Sequence, residues 1–314
     1  MKYKAIFSDI DGTLVSFRTH RVPESTLEAL EEAHNQGVKI IIATGRPYGD
    51  FDVIKDVPYD AVISLNGADC RWKDGRIIRQ HFIDYDNFKK MSMLSDEYGF
   101  ALSLELTEGF FINRITPAVE ELAKAIDHKI PEVCDIEEKF NAYGCGQMAA
   151  YFDLDLQNIV MSQVPDMYAT RWHPRFADID LNCVSKGNAL REVAELLGIG
   201  IDETISFGDG GNDISLIGAA GLGVAMGNAG DDVKAAAGYV AGHVDENGFA
   251  DAIRNFVLGC PVREDKCSYY PITINKFNPY DTKEYCIGTG RGGTGIDRLR
   301  ECGKADGRGD GFSL

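Results

Sequence analysis

The feature that most constrains the fold is the run VKIIIAT at residues 38–44, which is rich in β-branched residues and carries one charge, at Lys39. A short β-branched run of this kind is typical of a strand covered on both faces, as in the parallel sheets of α/β proteins. Strand-like runs also stand at 4–8 and 60–65, and apolar residues recur at helical spacing in 24–37. A second helix is expected near 47–55. This alternation predicts an α/β fold with a doubly wound parallel sheet.

The regular alternation stops near residue 82 and resumes near residue 181. Between these positions, helical and strand-like segments follow no regular order, which predicts an inserted α+β unit. We therefore expect a split core of residues 1–82 and 181–259, an insertion at 83–180 and a tail at 260–314. The tail is rich in glycine and has no sustained period. It is expected to be poorly ordered, with no assigned role.

Composition excludes several classes of protein. A formal charge of −17 over 314 residues disfavours a nucleic-acid partner, because such binding needs clustered lysine and arginine. The chain has neither the ~20 consecutive apolar residues of a membrane span nor the apolar segment of a secretion signal near its start, so we expect no membrane partner and a cytoplasmic protein. The eight cysteines form no CxxC pair and are expected to be free thiols. The oligomeric state is left open, and a monomer is compatible with the sequence.

Polar residues follow the predicted core strands at their carboxyl ends. Ligands of parallel α/β sheets bind outside these ends, so we expect the residues to converge on one rim. The candidates are Asp9, Asp11 and Thr13 after the first strand, Thr44, Gly45 and Arg46 after the second, Asn66 after the third, Lys186 at the start of a helix, and Asp209, Asn212 and Asp213 after a later strand.

The chemistry of this set points to phosphoryl transfer. Four carboxylates at one rim repel one another unless a cation lies among them, and Mg²⁺ prefers oxygen ligands. A lysine, hydroxyl groups and glycine-exposed amides can together hold a phosphoryl group. Asp9 and Asp11 are two residues apart and so lie on the same side of a strand. One of them could attack phosphorus while the other protonates the leaving oxygen.

Each motif has a simpler interpretation when it is taken alone. Residues 9–13 could form a turn with an aspartate as a helix N-cap. The segment 208–213 is similar to a calcium-binding loop but lacks the closing glutamate. Lys186 could be a surface lysine. The occurrence of all the motifs in this order, three of them at strand ends, favours the phosphoryl-transfer site.

DIDGT at 9–13, ATGR at 43–46, SKGNAL at 185–190 and GDGGND at 208–213 resemble the four motifs of the haloacid dehalogenase superfamily. The large insertion between the second and third motifs is similar to that of the Cof-type (subfamily IIB) sugar-phosphate phosphatases, in which it forms a cap over the catalytic cleft. The resemblance covers residues 1–259 and leaves the tail unmatched.

The resemblance implies a role for each matched residue. Asp9 would be the nucleophile that forms an aspartyl-phosphate, and Asp11 would be the general acid and base. An aspartate at position 11 implies that the aspartyl-phosphate is hydrolysed quickly. Thr44 and Lys186 would hold the transferring phosphoryl group. Asp9, Asp209 and the main-chain carbonyl of Asp11 would bind Mg²⁺, and Asp213 would support the ion either directly or through groups around it. The other candidates for phosphate or substrate binding are Thr13, Gly45, Arg46, Asn66 and Asn212.

The same resemblance implies a small phosphorylated metabolite as the substrate, with hexose phosphates as the first expectation. Arg171 or Arg175 of the insertion could bind a second anionic group or could lie on a solvated face. Two other functions stay open: a phosphomutase that uses the same Asp9 and Asp11, and a non-catalytic sensor of phosphorylated metabolites. Dependence on a bisphosphate activator would identify the mutase, whereas a sensor would have no need of the proton shuttle at Asp11.

Overall fold

The computed structural model describes residues 2–106, 109–125 and 129–259. The predicted tail at 260–314 lies outside these residues. In the part that is described, no helix combines the length and the apolar character needed to cross a bilayer. The cysteines at positions 70, 134, 145 and 183 are free thiols.

Strands and helices alternate in the first and last parts of the described chain and are mixed between them. The strands are Ala5–Ser8 (β1), Lys39–Ala43 (β2), Ala61–Ser64 (β3), Asp69–Trp72 (β4), Ile77–Gln80 (β5), Ala101–Leu106 (β6), Gly109–Ile112 (β7), Glu132–Val133 (β8), Gln147–Tyr151 (β9), Met167–His173 (β10), Phe176–Leu181 (β11), Thr204–Gly208 (β12), Leu222–Ala225 (β13) and Tyr239–Val240 (β14). The helices are Glu24–Asn35 (α1), Tyr85–Tyr98 (α2), Pro117–Ala125 (α3), Ile136–Tyr143 (α4), Leu154–Met161 (α5), Lys186–Leu196 (α6), Ile214–Ala219 (α7), Asp231–Ala236 (α8) and Gly248–Phe256 (α9).

The first sheet has the strand order β14-β13-β12-β1-β2-β3-β4-β5. Every neighbouring pair from β14 to β3 is parallel, which confirms the predicted doubly wound sheet. β4 and β5 extend this sheet as an antiparallel hairpin that the sequence analysis did not predict. The signal was present, because Asp74 and Gly75 form a strong turn pair between the strands, and Gly75 adopts a φ of +87°.

Helices cover both faces of the first sheet. Ile6 of β1 packs on one face with Leu30 of α1 and Phe249 of α9. Phe7, the next residue of β1, packs on the opposite face with Leu190 of α6. Burial on both faces explains the unbroken apolar runs of these strands and leaves their carboxyl ends as the place for polar residues.

The helix predicted near 47–55 is wrong. Only a single 3₁₀ turn forms there, at Asp52–Ile54. Pro47 has no amide N–H to donate, and Gly49 adopts a φ of +104° that a right-handed helix cannot contain. The segment instead forms a turn that places Asp50 close to Arg46.

β6 to β11 form a second sheet in the order β10-β11-β9-β6-β7-β8, in which every pair except β7–β8 is antiparallel. One face packs against α2 and α4, where the rings of Phe88 and Phe140 stack at a centroid distance of 4.2 Å. The other face packs against α3, where Val119 and Leu122 lie in one cluster with Tyr151. The second sheet therefore has its own apolar core.

Three buried acids, Glu105, Asp178 and Asp180, also belong to the second sheet. Neither carboxyl oxygen of Asp180 has a hydrogen-bond partner of good geometry among the described residues. Burial raises the pKa of Asp180 well above its ordinary value, the charge of Asp178 raises it further, and the nearby Asn66 amide offsets part of the rise. An acid with a raised pKa in the folded state destabilises the fold as the pH rises from the unfolded pKa through the folded one.

We expect Asp180→Asn to raise the free energy of unfolding at pH 8 by about 1–3 kcal/mol and to change it less at pH 5. The amide removes a buried charge that is present only at the higher pH. Thermal unfolding at both pH values measures the difference, and Asp166→Asn, at an exposed position, is the control. Equal effects of Asp180→Asn at the two pH values would contradict the assigned ionisation.

Candidate active site

The carboxyl ends of β1, β2 and β12 lie side by side, because β1 pairs with β12 on one side and with β2 on the other. The segments that follow these strands carry Asp9, Thr44 and Asp209. The main-chain N–H of Asp9 donates to the Phe207 carbonyl at 3.1 Å, so the ladder between β1 and β12 continues to the first acid. The sheet thus brings three of the four sequence motifs to one edge.

Lys186, the first residue of α6, supplies the fourth motif. Its ammonium group donates to Asp9 Oδ1 and to Asp213 Oδ1, both at 2.7 Å, and its side chain is fully buried. Ser185 caps the helix by accepting the Asn188 N–H at 3.1 Å. Burial lowers the pKa of Lys186, but the two carboxylates raise it by more, and the net pKa lies above its ordinary value. The ammonium charge is therefore fixed beside Asp9.

Asp213 shapes the loop after β12. While its Oδ1 binds Lys186, its Oδ2 accepts the main-chain N–H groups of Asp209 at 3.0 Å and Gly210 at 2.9 Å. Both oxygens of Asp213 are thus used in holding the loop that carries Asp209.

Asp209 is held in turn by residues from two other loops. Its Oδ1 accepts the Thr13 hydroxyl at 3.2 Å, and its Oδ2 accepts Asn228 Nδ2 at 3.0 Å. Asn228 Nδ2 also donates to the Gly12 carbonyl at 2.8 Å. Gly12 has a φ of +84°, and a Cβ there would overlap the Asp209 carboxylate. Asn228 was missed by the sequence analysis, although it lies just beyond the end of β13, where the strand-end argument would have found it.

The charges at this edge are unbalanced. Oxygens of Asp9, Asp209 and Asp213 lie within 4.8 Å of one another, and Lys186 offsets one of their three negative charges. Burial, and then repulsion by Asp213, raise the pKa of Asp9 well above its ordinary value, although Lys186 lowers it; burial and Asp213 likewise raise the pKa of Asp209 to about 6. An excess of negative charge on closely spaced oxygen donors fits a divalent cation such as Mg²⁺.

Asp11 has a partner that the sequence analysis did not anticipate. Arg46 donates from Nε to Asp11 Oδ2 and from Nη2 to Asp11 Oδ1, both at 2.8 Å, and its Nη1 lies 3.3 Å from Asp50 Oδ2. The hydrogen bond to Asp11 raises the pKa of Arg46. Arg46, which was expected to bind phosphate or substrate, is thus bound to two acids. The side chain of Asp11 lies outside the three-acid cluster, and metal binding by its main-chain carbonyl stays a prediction.

A cavity of about 640 Å³ adjoins these groups. Asp9, Asp11 and the residues 209–213 line one side of it, and residues of the second sheet, among them Gln147 and Phe176, line the other. The acids of the first sheet therefore face a separate wall that comes from the inserted segment.

Of the other residues predicted to bind phosphate or substrate, some line the cavity and one lies behind its lining. Thr44, Gly45 and Asn212 line the cavity, and Thr44 Oγ1 accepts the Arg46 N–H at 3.1 Å. Asn66 is 3% exposed and is not among the described residues that line the cavity. Its carboxamide is bound to Asn212 and Gln147. Asn66 therefore lies behind the wall.

Glu105 and Gln147 of the second sheet line the cavity and were missed by the sequence analysis. They are direct neighbours across β6 and β9, and Gln147 Nε2 donates to Glu105 Oε2 at 2.7 Å. A glutamate inside the strand ALSLEL at 101–106, whose other residues are apolar or a serine, was an available signal, because a charge in such a run needs a partner or a function.

The two arginines that were considered for a second anion differ in their surroundings. The guanidinium group of Arg171 donates to Gln157 Oε1 and to the carbonyls of Phe152 and His173. Arg171 also lines the cavity, and its Nη2 has no hydrogen-bond partner among the described residues, so anion binding by Arg171 stays a prediction. Arg175 is exposed and pairs with Glu121 at 3.5 Å, which fits the solvated-face alternative.

Comparisons with known proteins agree with this arrangement. The family of haloacid dehalogenase-like hydrolases matches residues 6–253. The structure of BT1666 from Bacteroides thetaiotaomicron, described among the phosphatases of the HAD superfamily, is 45% identical, with a TM-score of 0.79 over 81% of this chain and 95% of that one. The HAD subclass IIB sugar phosphatase BT4131 is 36% identical, with a TM-score of 0.73 over 81% of this chain and 98% of that one.

A relative from Bacillus subtilis extends the comparison to sequence. The 5-amino-6-(5-phospho-D-ribitylamino)uracil phosphatase YcsE is 28% identical over 265 residues, which cover 81% of this chain and 96% of YcsE. The family match runs through all four motifs and both sheets. The chain belongs to the haloacid dehalogenase-like hydrolases and is a phosphatase of that family.

Proposed function

We propose that this phosphatase depends on Mg²⁺, acts on small sugar phosphates, hexose phosphates foremost, and forms an aspartyl-phosphate on Asp9. The observation that carries the proposal is the buried ammonium group of Lys186, which lies 2.7 Å from both Asp9 Oδ1 and Asp213 Oδ1. It fixes one oxygen of Asp9 and places a positive charge next to the point of attack. A preorganised charge of this kind stabilises a transferring phosphoryl group.

In the proposed reaction, Asp9 Oδ2 attacks the phosphorus, and the bond from phosphorus to the leaving alcohol oxygen breaks. Oδ1 is held by Lys186, whereas Oδ2 accepts no hydrogen bond from the described residues and keeps its lone pairs for the attack. Thr44, Gly45 and Asn212 line this side of the cavity and would contact the phosphoryl oxygens. Water then attacks the phosphorus of the intermediate, which releases inorganic phosphate and restores Asp9.

Asp11 would protonate the leaving oxygen and then accept a proton from the attacking water. Arg46 occupies both oxygens of Asp11, so one of these hydrogen bonds must open before Asp11 can reach a substrate atom. The contact between Arg46 and Asp50 stabilises the guanidinium group at the rim while that bond is open.

Asp9 and Asp209, with the main-chain carbonyl of Asp11, would hold Mg²⁺. The two uncompensated negative charges and the oxygen donors of the three-acid cluster support this assignment. When bound, the ion would neutralise charge on the phosphoryl oxygens. Asp213 accepts three hydrogen bonds, one from Lys186 and two from main-chain N–H groups, whereas Asp209 accepts two; this favours an indirect role for Asp213, through the loop that it holds.

The far wall of the cavity supports the proposed substrate class. We propose that residues 83–180 form a cap that contacts the leaving group, over a core of residues 1–82 and 181–259. The hydrogen-bonding groups of Glu105 and Gln147 and the ring of Phe176 line this wall, and a sugar presents both hydroxyl groups and flat apolar faces. The sugar phosphatase BT4131 and the ribityl phosphate in the name of YcsE support a polyhydroxylated leaving group.

We expect Asp9→Asn to lower phosphate release by about 10³-fold or more, because a carboxamide does not attack phosphorus. Release is measured with Mg²⁺ across hexose phosphates, nucleotides and phosphorylated cofactors. Asp166→Asn, at an exposed position, is the matched control. Parental rates in Asp9→Asn would contradict the assignment of the nucleophile, and a need for a bisphosphate activator would favour the phosphomutase.

Removal of divalent metal with EDTA is expected to abolish release, and added Mg²⁺ to restore it. Asp209→Asn should weaken Mg²⁺ binding at least about tenfold, measured by calorimetry as well as by activity. Because the pKa of Asp209 is about 6, protons compete with the ion below that pH, and the affinity for Mg²⁺ should fall between pH 7 and pH 5. Full activity in the presence of EDTA would contradict the proposed dependence on Mg²⁺.

We expect Asp11→Asn to lower kcat by about 10²–10⁴-fold while hexose-phosphate binding persists, because the substitution removes the proton-transferring group and leaves Thr44 and Lys186 in place. Steady-state kinetics and calorimetric titration of the same preparation separate the two effects. If the unaltered protein binds hexose phosphates but never turns them over, the sensor alternative replaces the phosphatase on these compounds.

A further inference from the structure

A row of three side-chain hydrogen bonds connects the two sides of the cavity. Asn212 Nδ2 donates to Asn66 Oδ1 at 3.0 Å, Asn66 Nδ2 donates to Gln147 Oε1 at 2.9 Å, and Gln147 Nε2 donates to Glu105 Oε2 at 2.7 Å. We call these four residues the amide row. Its members come from the loop after β12, the turn after β3, and the neighbouring strands β9 and β6. Bonds between side chains are the least common class in proteins, so three in succession indicate a specific arrangement.

The hydrogen bonds of the amide row all run in one direction. The NH₂ group of Gln147 faces Glu105, and its carbonyl faces Asn66. Asn66 must then donate to Gln147, and its own carbonyl is left to accept from Asn212. Any one amide turned the other way would place two acceptors or two donors together. The orientation of Asn212 is therefore coupled to the acid on the far wall.

Asn66, a member of the amide row, has an unfavourable backbone conformation. Leu65 and Asn66 have φ values of 47° and 51°, and Gly67 follows with 113°. Left-handed backbone costs energy in residues other than glycine and persists where the surroundings require it. The main-chain N–H of Asn66 donates to the Thr44 carbonyl at 3.0 Å, which ties the turn to the second motif. Asparagine tolerates the conformation better than most residues and also supplies both a donor and an acceptor.

The amide row leaves hydrogen-bonding capacity at the cavity. Glu105 and Gln147 both line it. Glu105 Oε1 accepts no hydrogen bond from the described residues, and Gln147 Nε2 has a second N–H beyond the one that Glu105 accepts. An acceptor next to a donor matches an alcohol, because a hydroxyl group donates one hydrogen bond and accepts others.

We propose that Glu105 and Gln147 form a subsite for the hydroxyl groups of a polyhydroxylated leaving alcohol, and that Asn66 is a positioning residue that aligns this subsite with Asn212. The inference rests on the proposed function, because it assigns the leaving-group half of the same site. The amide row would hold Asn212, which faces the phosphoryl oxygens, at a fixed position relative to Glu105 and Gln147, which face the alcohol.

The test compares two substrates that share a phosphoryl group. Glucose 6-phosphate has hydroxyl groups that the proposed subsite would bind, whereas the acetate leaving group of acetyl phosphate has no alcohol hydroxyl group. For Gln147→Met and Asn66→Gly, we expect the ratio of kcat/KM for glucose 6-phosphate to that for acetyl phosphate to fall at least about tenfold, equivalent to about 1.4 kcal/mol. Glycine accepts the φ of position 66 and so removes the side chain without strain.

The double variant Asn66→Gly with Gln147→Met tests whether Asn66 acts by aligning Gln147 or merely by packing. If Asn66 acts through Gln147, Asn66→Gly should change the ratio by less than about threefold when Gln147 is already Met, because residues of one network are not additive. The control is Asn113→Ala, which removes a cap amide that binds Leu102 N–H and Ser95 away from the cavity and should leave the ratio unchanged.

Calorimetric binding, in the Asp9→Asn background, gives a readout that does not depend on turnover. Gln147→Met should weaken glucose 6-phosphate about tenfold and inorganic phosphate by less than threefold. This pattern would support the subsite even if no phosphate were released, a result that would overturn only the proposed function. Equal losses for both ligands or both substrates, an unchanged ratio, or an additive double variant would overturn the inference.

Discussion

The ion pairs of Lys186 with Asp9 and Asp213 are the interaction on which the rest of the site depends. Without this cation, three carboxylates would meet at a buried edge of the sheet, and desolvation and repulsion would keep them from ionising together. The lysine removes only part of that cost, and the remaining negative charge is what a divalent ion can use. The same contacts thus permit the fold and leave the site incomplete without a ligand.

Supporting contacts spread outward from this pair. Asp213 holds the main chain of the loop, and Thr13 and Asn228 hold the carboxylate of Asp209. In the proposed reaction, none of these groups has to move for Asp9 to attack. At the rim, by contrast, the proposal requires Arg46 to give up a hydrogen bond before Asp11 transfers a proton. The interior of the site is therefore preorganised, whereas the proposed proton transfer is tied to a rearrangement of half-buried side chains.

Much of the fold could be predicted from the sequence, because buried parallel strands have unbroken apolar runs and their ends carry the motifs. The run at 38–44 became β2, and the strand at 101–106 was found within the insertion. The helix near 47–55 failed because Pro47 and Gly49 outweigh the local pattern. The pairing of Arg46 with Asp11 and the contact between Asn66 and Gln147 could not be found, since they join residues 35 and 81 positions apart whose rotamers depend on packing.

The central place of β1 has a consequence for how the chain assembles. β1 lies between β2, which is made soon afterwards, and β12, which follows only after the whole second sheet has been synthesised. On the ribosome, one edge of β1 stays unpaired while more than half of the described chain emerges, and exposed strand edges invite pairing with other chains. The second sheet, in which only β7 and β8 pair in parallel, is built from one continuous stretch of sequence and can form first. The nascent chain can therefore complete the second sheet before the first, and the open edge of β1 is exposed to aggregation until β12 has been made.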